Sequence, residues 1–273
     1  MKKDKTYYEQ IADEAEYLKW YQTQDKGSYE KPSVTNDSII LAWDNDSLSL
    51  NFLAIKRKAH PYRGKFALPG GFVEIDEDIE NSVIREVREE TNLSLPETRI
   101  EQLKTFGSVL RDPRMRIMTV AHLVYLPSYE DKGYSTLDEL NAKAGDDAQE
   151  VMWLSIRMKK DGQLEVFNGD ESLEPNNFAF DHFEILKYGM NRIKNRLNYN
   201  PTVLNLLPEY FTATEARLLF SFFEPKLKNV PNSANFVTTY GRFMDETDIQ
   251  RLANSKGRPP RYYKLKEDYR GHI

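Results

Sequence analysis

The chain of 273 residues contains no cysteine, which excludes disulfides, thiolate metal sites and cysteine nucleophiles. No apolar run approaches the roughly 18 residues that a membrane-spanning helix needs. The opening stretch MKKDKTYYEQ has lysines but no apolar segment behind them. It is therefore not expected to be a secretory signal, and a cytoplasmic protein without a membrane partner is the expectation. What is present is ordinary for a globular protein, with 40% hydrophobic and 30% charged residues, enough to build a core. The net charge of −5 is unevenly spread: residues 199–273 carry +3 and residues 1–198 carry −8. A basic end on an acidic chain suggests a separate module with an anionic partner.

Hydrophobic periodicity predicts a helix over residues 5–24, with Tyr8, Ile11, Ala15, Leu18 and Tyr21 at three- and four-residue steps. Residues 38–43 and 47–55 read as two strands joined at Asp44-Asn45-Asp46, a hairpin signal. An extended segment then passes through Pro69-Gly70-Gly71. Residues 78–91 form a strong helical pattern, 118–126 and 150–154 read as strands, 127–147 as a polar loop with one short helical stretch, and 178–197 as a second strong helix. Strands interleaved with two long helices predict an α+β chain with a sandwich around a mixed sheet. The character changes at Asn198-Tyr199-Asn200-Pro201. The expected organisation is a helical arm at 1–35, a main domain at 36–198 and a smaller domain at 199–273.

The chemically informative stretch is Gly71-Phe-Val-Glu-Ile-Asp-Glu77 followed, seven residues on, by Arg85-Glu86-Val87-Arg88-Glu89-Glu90-Thr91-Asn92-Leu93. At about 100° per residue, Glu89 falls near −60° and Glu90 near +40° from Glu86. The three carboxylates share one helix face, within reach of one ion. Val83, Ile84 and Val87 occupy the neighbouring side and anchor the helix. Arg85, four residues before Glu89, can hold a carboxylate in place. Like charges at this spacing weaken a helix, and a hard divalent cation would offset that repulsion. Taken alone, the acidic face fits a solvated surface equally well.

The longer pattern separates these readings. Eight of nine constrained positions match glycine, five residues, glutamate, seven residues, then Arg-Glu-apolar-any-Glu-Glu-any-Gly-apolar. The segment resembles the Nudix hydrolases. The resemblance implies an α/β/α sandwich with a loop-helix-loop metal site, magnesium or alternatively manganese as cofactor, and a nucleoside diphosphate linked to another group as substrate. It implies Glu86, Glu89 and Glu90 as metal and base residues, with Glu77 and Arg85 as a supporting pair and Gly71 beside the substrate. Asn92 stands where the family has glycine. That position needs a left-handed backbone, which Asn tolerates next best.

The segments His60-Pro-Tyr-Arg-Gly-Lys65 and Arg111-Asp-Pro-Arg114 resemble those of ADP-ribose-recognising Nudix proteins. They bring in Arg63, Arg111 and Arg114 as candidate phosphate ligands, the alternative being loop arginines. Glu150 is either an extra carboxylate or a residue leading into a strand. Thr212 and Glu215 have capping-box spacing before an apolar helix. A second helix runs to about Arg242, and the basic stretch Lys256-Gly-Arg-Pro-Pro-Arg-Tyr-Tyr-Lys264 reads as a hairpin. Helix, helix and basic wing predict a winged helix-turn-helix domain. With it, the whole chain resembles the Nudix-related transcriptional regulators of NAD metabolism. Arg242, Lys256, Arg258 and Arg261 become candidate DNA contacts, and a homodimer is expected. Two functions follow: hydrolysis of an ADP-ribose-like diphosphate, or ADP-ribose-responsive binding of double-stranded DNA.

Overall fold

The apolar run Ile39–Trp43 lies in a long strand, β1 (Ser33–Asp44), buried on both faces, as expected of a central strand with a layer on each side. β1 pairs in parallel with β5 (Ile117–Tyr125) and antiparallel with β2 (Ser49–Arg57). Further strands are β3 (Phe66–Ala67), β4 (Ile100–Phe106), β6 (Ala148–Met158), β7 (Leu164–Asn168) and β8 (Glu171–Leu173). The order across this mixed sheet is β4-β5-β1-β2-β6-β7-β8, with β3 beside β2. The computed structural model describes residues 4–24, 31–95, 99–134, 136–140, 142–145, 148–159, 161–227, 233–249 and 260–269. Two compact units divide the chain, Met1–Pro32 and Ser33–Ile273.

Alternation along the strands sends side chains to two cores. Ile40, Leu53 and Val124 pack with Val83 and Val87 of the helix α3 (Ile79–Thr91). Ile39, Leu41 and Leu123 pack with Ile185, Leu186 and Met190 of α4 (His182–Arg196). One helix thus covers each face of the sheet. α4 starts four residues later than its periodicity suggests. Phe178 is held in a bridge to Phe66 and the Ala179 N–H donates to the Phe66 carbonyl at 2.7 Å, so this stretch extends the sheet before the helix begins.

The second core continues beyond residue 198. Val203, Leu204, Leu206, Leu207 and Phe211 are buried in the same cluster as Ile39 and Ile185. The following region holds β9 (Phe211–Thr212), α5 (Ala213–Phe223), α6 (Ser233–Tyr240), β10 (Met244–Glu246) and β11 (Tyr262–Leu265). The three strands form a small antiparallel sheet ordered β10-β11-β9. Thr212 and Glu215 form the expected capping box at the start of α5. Of the predicted basic hairpin, residues 260–264 are described; they enter β11, whose partner is β10, while Lys256 and Arg258 lie outside the described residues.

In the N-terminal unit the predicted single helix is two, α1 (Lys5–Gln10) and α2 (Glu14–Thr23). The break falls where the Asp13 carboxylate caps the Glu16 N–H at 2.8 Å, and Tyr8 stacks on Trp20 with ring centroids 4.7 Å apart. Among the described residues no helix is long and apolar enough to cross a membrane.

Candidate active site

The segment after β3 runs along the end of β1. Ser38 N–H donates to the Pro69 carbonyl at 2.8 Å, Asn36 N–H to Gly71 at 2.9 Å, and Val73 N–H to Val34 at 3.0 Å. The approach is so close that a Cβ on Gly70 would stand 2.1 Å from the Asn36 carbonyl oxygen. The Gly70-Gly71 backbone is thereby laid against the acidic face of α3. Buried Glu90 accepts the Gly70 N–H through Oε2 at 2.9 Å. The Glu86 carboxylate nests over Gly71, where a Cβ would fall 2.3 Å from its Oε1.

Arg85 ties the acidic residues together. Its Nε and Nη2 donate to both oxygens of Glu77 at 3.0 and 2.6 Å, its Nη1 to Glu86 at 2.8 Å and Glu89 at 3.1 Å, and Nη2 also to the Phe72 carbonyl at 3.0 Å. Hydrogen bonding to Glu77 holds the Arg85 pKa above its usual value, and the same bond depresses that of Glu77. Burial raises the pKa of Glu86, and the hydrogen bond from Arg85 opposes it. At the far end of α3, Asn92 takes the left-handed backbone expected of it, with φ 57°. The last carbonyls are met by a loop: Lys143 N–H donates to Thr91 at 2.9 Å and Gly145 N–H to Glu90 at 3.0 Å.

Glu90, Gly70 and Gly71 open onto a cleft of about 280 Å³ whose floor and far wall come from β1, β2, the 108–116 loop and the start of α4. The floor is a buried ionic network. Arg111 Nη2 donates to Asp37 at 3.1 Å and to Asp181 at 2.7 Å, and its Nε also meets Asp181. His182 Nδ1 accepts the Leu68 N–H at 2.8 Å while its Nε2 lies 3.4 Å from Asp37. Burial lowers the His182 pKa, so the ring is neutral near pH 7. Burial also works against the Arg111 charge, but the Asp181 bond and the Asp37 charge outweigh it and raise its pKa. Above this floor Arg114 pairs with Asp112 at 2.8 Å, and Arg57 donates to the Pro61 carbonyl at 2.8 Å.

Glu77, Arg85, Glu86, Glu89, Glu90 and Gly71 therefore lie together around the start of the cleft. Arg114 lines it. Arg111 lines it too, but with its side chain only 4% exposed and its guanidinium committed to two aspartates, so it shapes the floor and is not a free phosphate clamp. Arg63 is exposed in the 61–64 turn, away from the lining. Glu150 faces Lys56 at 3.7 Å on the sheet. Arg242 donates to the Asn198 carbonyl at 2.5 Å and Arg261 to Glu246 at 3.1 Å. Sequence reading missed Asp37, Asp181, His182, Arg57 and Phe180. They come from three segments far apart in the chain, with no spacing that links them.

The NUDIX domain model matches residues 34–166. The chain is 35% identical to an ADP-ribose pyrophosphatase of Methanocaldococcus jannaschii over 159 residues, 58% of this chain and 73% of that protein. It is 26% identical to an ADPR responsive transcriptional repressor of Acinetobacter baylyi over 212 residues, 77% of this chain and 72% of that one. A crystal structure of a MutT/nudix family protein from Enterococcus faecalis superposes with a TM-score of 0.79 at 34% identity, covering 96% of both chains. A mixed sheet between two helices, with a glycine loop seated on a glutamate-rich helix, defines the class, and the chain belongs to the Nudix family.

Proteins of this family typically use a divalent metal. The donor set here fits one. Three carboxylates surround a single guanidinium and Glu90 lies on the same helix, all donors are hard oxygens, and Arg85 keeps two bonds to Glu77 if Glu86 and Glu89 leave it. Among the described residues no three such groups are already drawn together around one point; Arg85 Nη1 is bonded to both Glu86 and Glu89.

Proposed function

We propose that the chain is a magnesium-dependent pyrophosphohydrolase acting on ADP-ribose or a related nucleoside-diphosphate compound, with manganese able to replace magnesium. The observation that carries this reading is the seating of Glu86 on Gly71 and Glu90 on Gly70, which fixes an acidic cluster at the mouth of a cleft. The similarity to an ADP-ribose pyrophosphatase supports the substrate class. Glu86, Glu89 and Glu90 would hold the ion, which when bound polarises a phosphoryl oxygen and makes a water molecule acidic enough to attack near neutral pH. Arg85, anchored by Glu77, sets the rotamers of Glu86 and Glu89. An oxygen of Glu86, Glu89 or Glu90 that is not turned to the ion would accept the proton of the attacking water. Water adds across the P–O–P bridge, and ADP-ribose yields AMP and ribose 5-phosphate. Arg114 supplies positive charge at the cleft wall.

Turnover of ADP-ribose with magnesium, followed by product chromatography, tests this. Glu86→Gln and Glu90→Gln should each lower kcat by two or more orders of magnitude while the melting temperature barely moves. Intact ADP-ribose after incubation with the wild type would refute it.

A second reading is favoured by the similarity to the Acinetobacter repressor, which reaches well beyond residues 34–166. In it, residues 199–273 form a winged helix-turn-helix and the chain is a dimer that binds double-stranded DNA when the cleft is empty. The exposed Asn235, Thr238 and Thr239 of α6 would face the major groove. Arg261, Lys256 and Arg258 would meet phosphates. Arg242 would act by fixing the end of α6 to Asn198. A salt-sensitive mobility shift on DNA upstream of the protein's own coding region, reversed by ADP-ribose, is the expected result; no shift at low salt excludes it.

A further inference from the structure

The wall of the cleft opposite the glutamates is aromatic. Phe180 precedes α4 with φ 50°, a left-handed backbone that a bulky side chain rarely adopts. Such conformations persist where surrounding contacts enforce them, and they concentrate at ligand sites. The enforcing contacts are present. Ala179 is tied to Phe66, the Tyr62 ring meets Phe180 edge-on at 4.8 Å, the His182 ring lies 5.3 Å away, and the Arg57 guanidinium sits 5.1 Å from the ring centroid. The result is an immobilised ring facing the cleft. Across from it is Phe72, 44% exposed and adjacent to Gly71. The Arg114 guanidinium stands 5.8 Å from both ring centroids. Phe72, Arg114 and Phe180 all line the cleft, so the two rings and the flat guanidinium border the same space, which suits a planar π-group. Arg114 is 44% exposed but forks onto Asp112, whose side chain is only 3% exposed, so it stays at the rim of the platform and leaves the rest of the ring to the cleft.

We propose that Phe180, with Phe72 at its margin, is the stacking platform for the base of the nucleotide half of the ligand. This rests on the hydrolase reading above, and it sets polarity within the cleft. The base lies on Phe180, the diphosphate runs toward Gly70-Gly71 and the acidic cluster, and the second sugar phosphate points away from the aromatic wall. The specificity it implies is for a nucleoside diphosphate with a broad planar base over sugar diphosphates that carry none.

The test compares binding of ADP-ribose and of ribose 5-phosphate by calorimetry with calcium as a non-catalytic ion. Leucine is as strained at this φ as phenylalanine, so Phe180→Leu removes the ring and leaves the backbone problem unchanged. It should weaken ADP-ribose about tenfold or more, the size of one lost base stack, and leave ribose 5-phosphate unaltered. Phe180→Trp should keep ADP-ribose affinity within about twofold, and its added indole emission should be quenched on binding. Equal weakening of both ligands in the leucine variant, or unchanged ADP-ribose affinity, overturns the stacking role. So does a tryptophan variant that binds ADP-ribose without any change in emission. A wild type that binds neither ligand overturns the hydrolase reading and the platform together.

Discussion

Two residues show how narrowly the site is specified. Gly71 is required because its hydrogen faces the Glu86 carboxylate. Gly71→Ala puts a methyl group 2.3 Å from Oε1, and the flexible carboxylate must give way. The expected result is a loss of turnover of at least tenfold with little change in stability, read by steady-state kinetics beside a thermal melt. Arg111 behaves in the opposite sense. It is buried between Asp37 and Asp181, and removing one partner of a buried ionic group leaves the others uncompensated. Arg111→Ala should cost about 3–5 kcal/mol of stability, measured by urea unfolding, so any loss of activity would follow from the fold. Histidine titration adds a pH signature. Burial lowers the pKa of both His182 and His122 from 6.5. The unfolded chain binds protons below about pH 6.5 that the folded chain refuses, so stability is full above that value and declines as pH falls through the depressed folded values. The urea midpoint should be lower at pH 5.5 than at pH 7.5.

Among the elements, α3 was the most legible in sequence. Its apolar face, its carboxylate spacing and its left-handed close at Asn92 are all local properties, and each is found where the residues put it. The same helix depends on a partner that local pattern does not reveal. Gly145 lies so close that a Cβ would meet the Glu89 carbonyl oxygen at 1.8 Å. Gly145→Ala must push the loop off the end of α3, unsatisfying the Thr91 and Glu90 carbonyls, and a drop in melting temperature of several degrees is expected. β4 escaped sequence reading because a bulge between Gln102 and Lys104 interrupts its alternation and only Ile100 and Leu103 are buried. The β7–β8 hairpin was readable in principle. Gly169-Asp170 is a two-residue turn signal with glycine at its first central position, with φ 58° at Gly169, but the flanking strands are too short to show a period. The cleft floor was not readable at all, since Asp37, Arg111 and His182 meet only through the sheet order and the late start of α4.

At the scale of the whole chain, packing is continuous across residue 198. Val203 to Phe211 complete the core under α4, Tyr125 Oη lies 3.0 Å from Thr202 Oγ1, and Tyr240 Oη donates to Asn198 at 3.1 Å. A chain ending at Asn198 would expose that apolar surface. It should melt at least about 10 °C lower than the full chain and aggregate on heating. The same continuity bonds Tyr240 of α6 to Asn198, two residues beyond the end of α4.

Everything functional here depends on the glutamates of α3 gathering a divalent ion beside the glycine loop. Titration of the full chain with manganese, monitored by the electron paramagnetic resonance signal of the free ion, addresses that directly. The wild type should bind manganese at a site that is lost in Glu86→Gln/Glu89→Gln, with both proteins equally folded by circular dichroism. Equal manganese binding by the two proteins would show that these carboxylates are not the site.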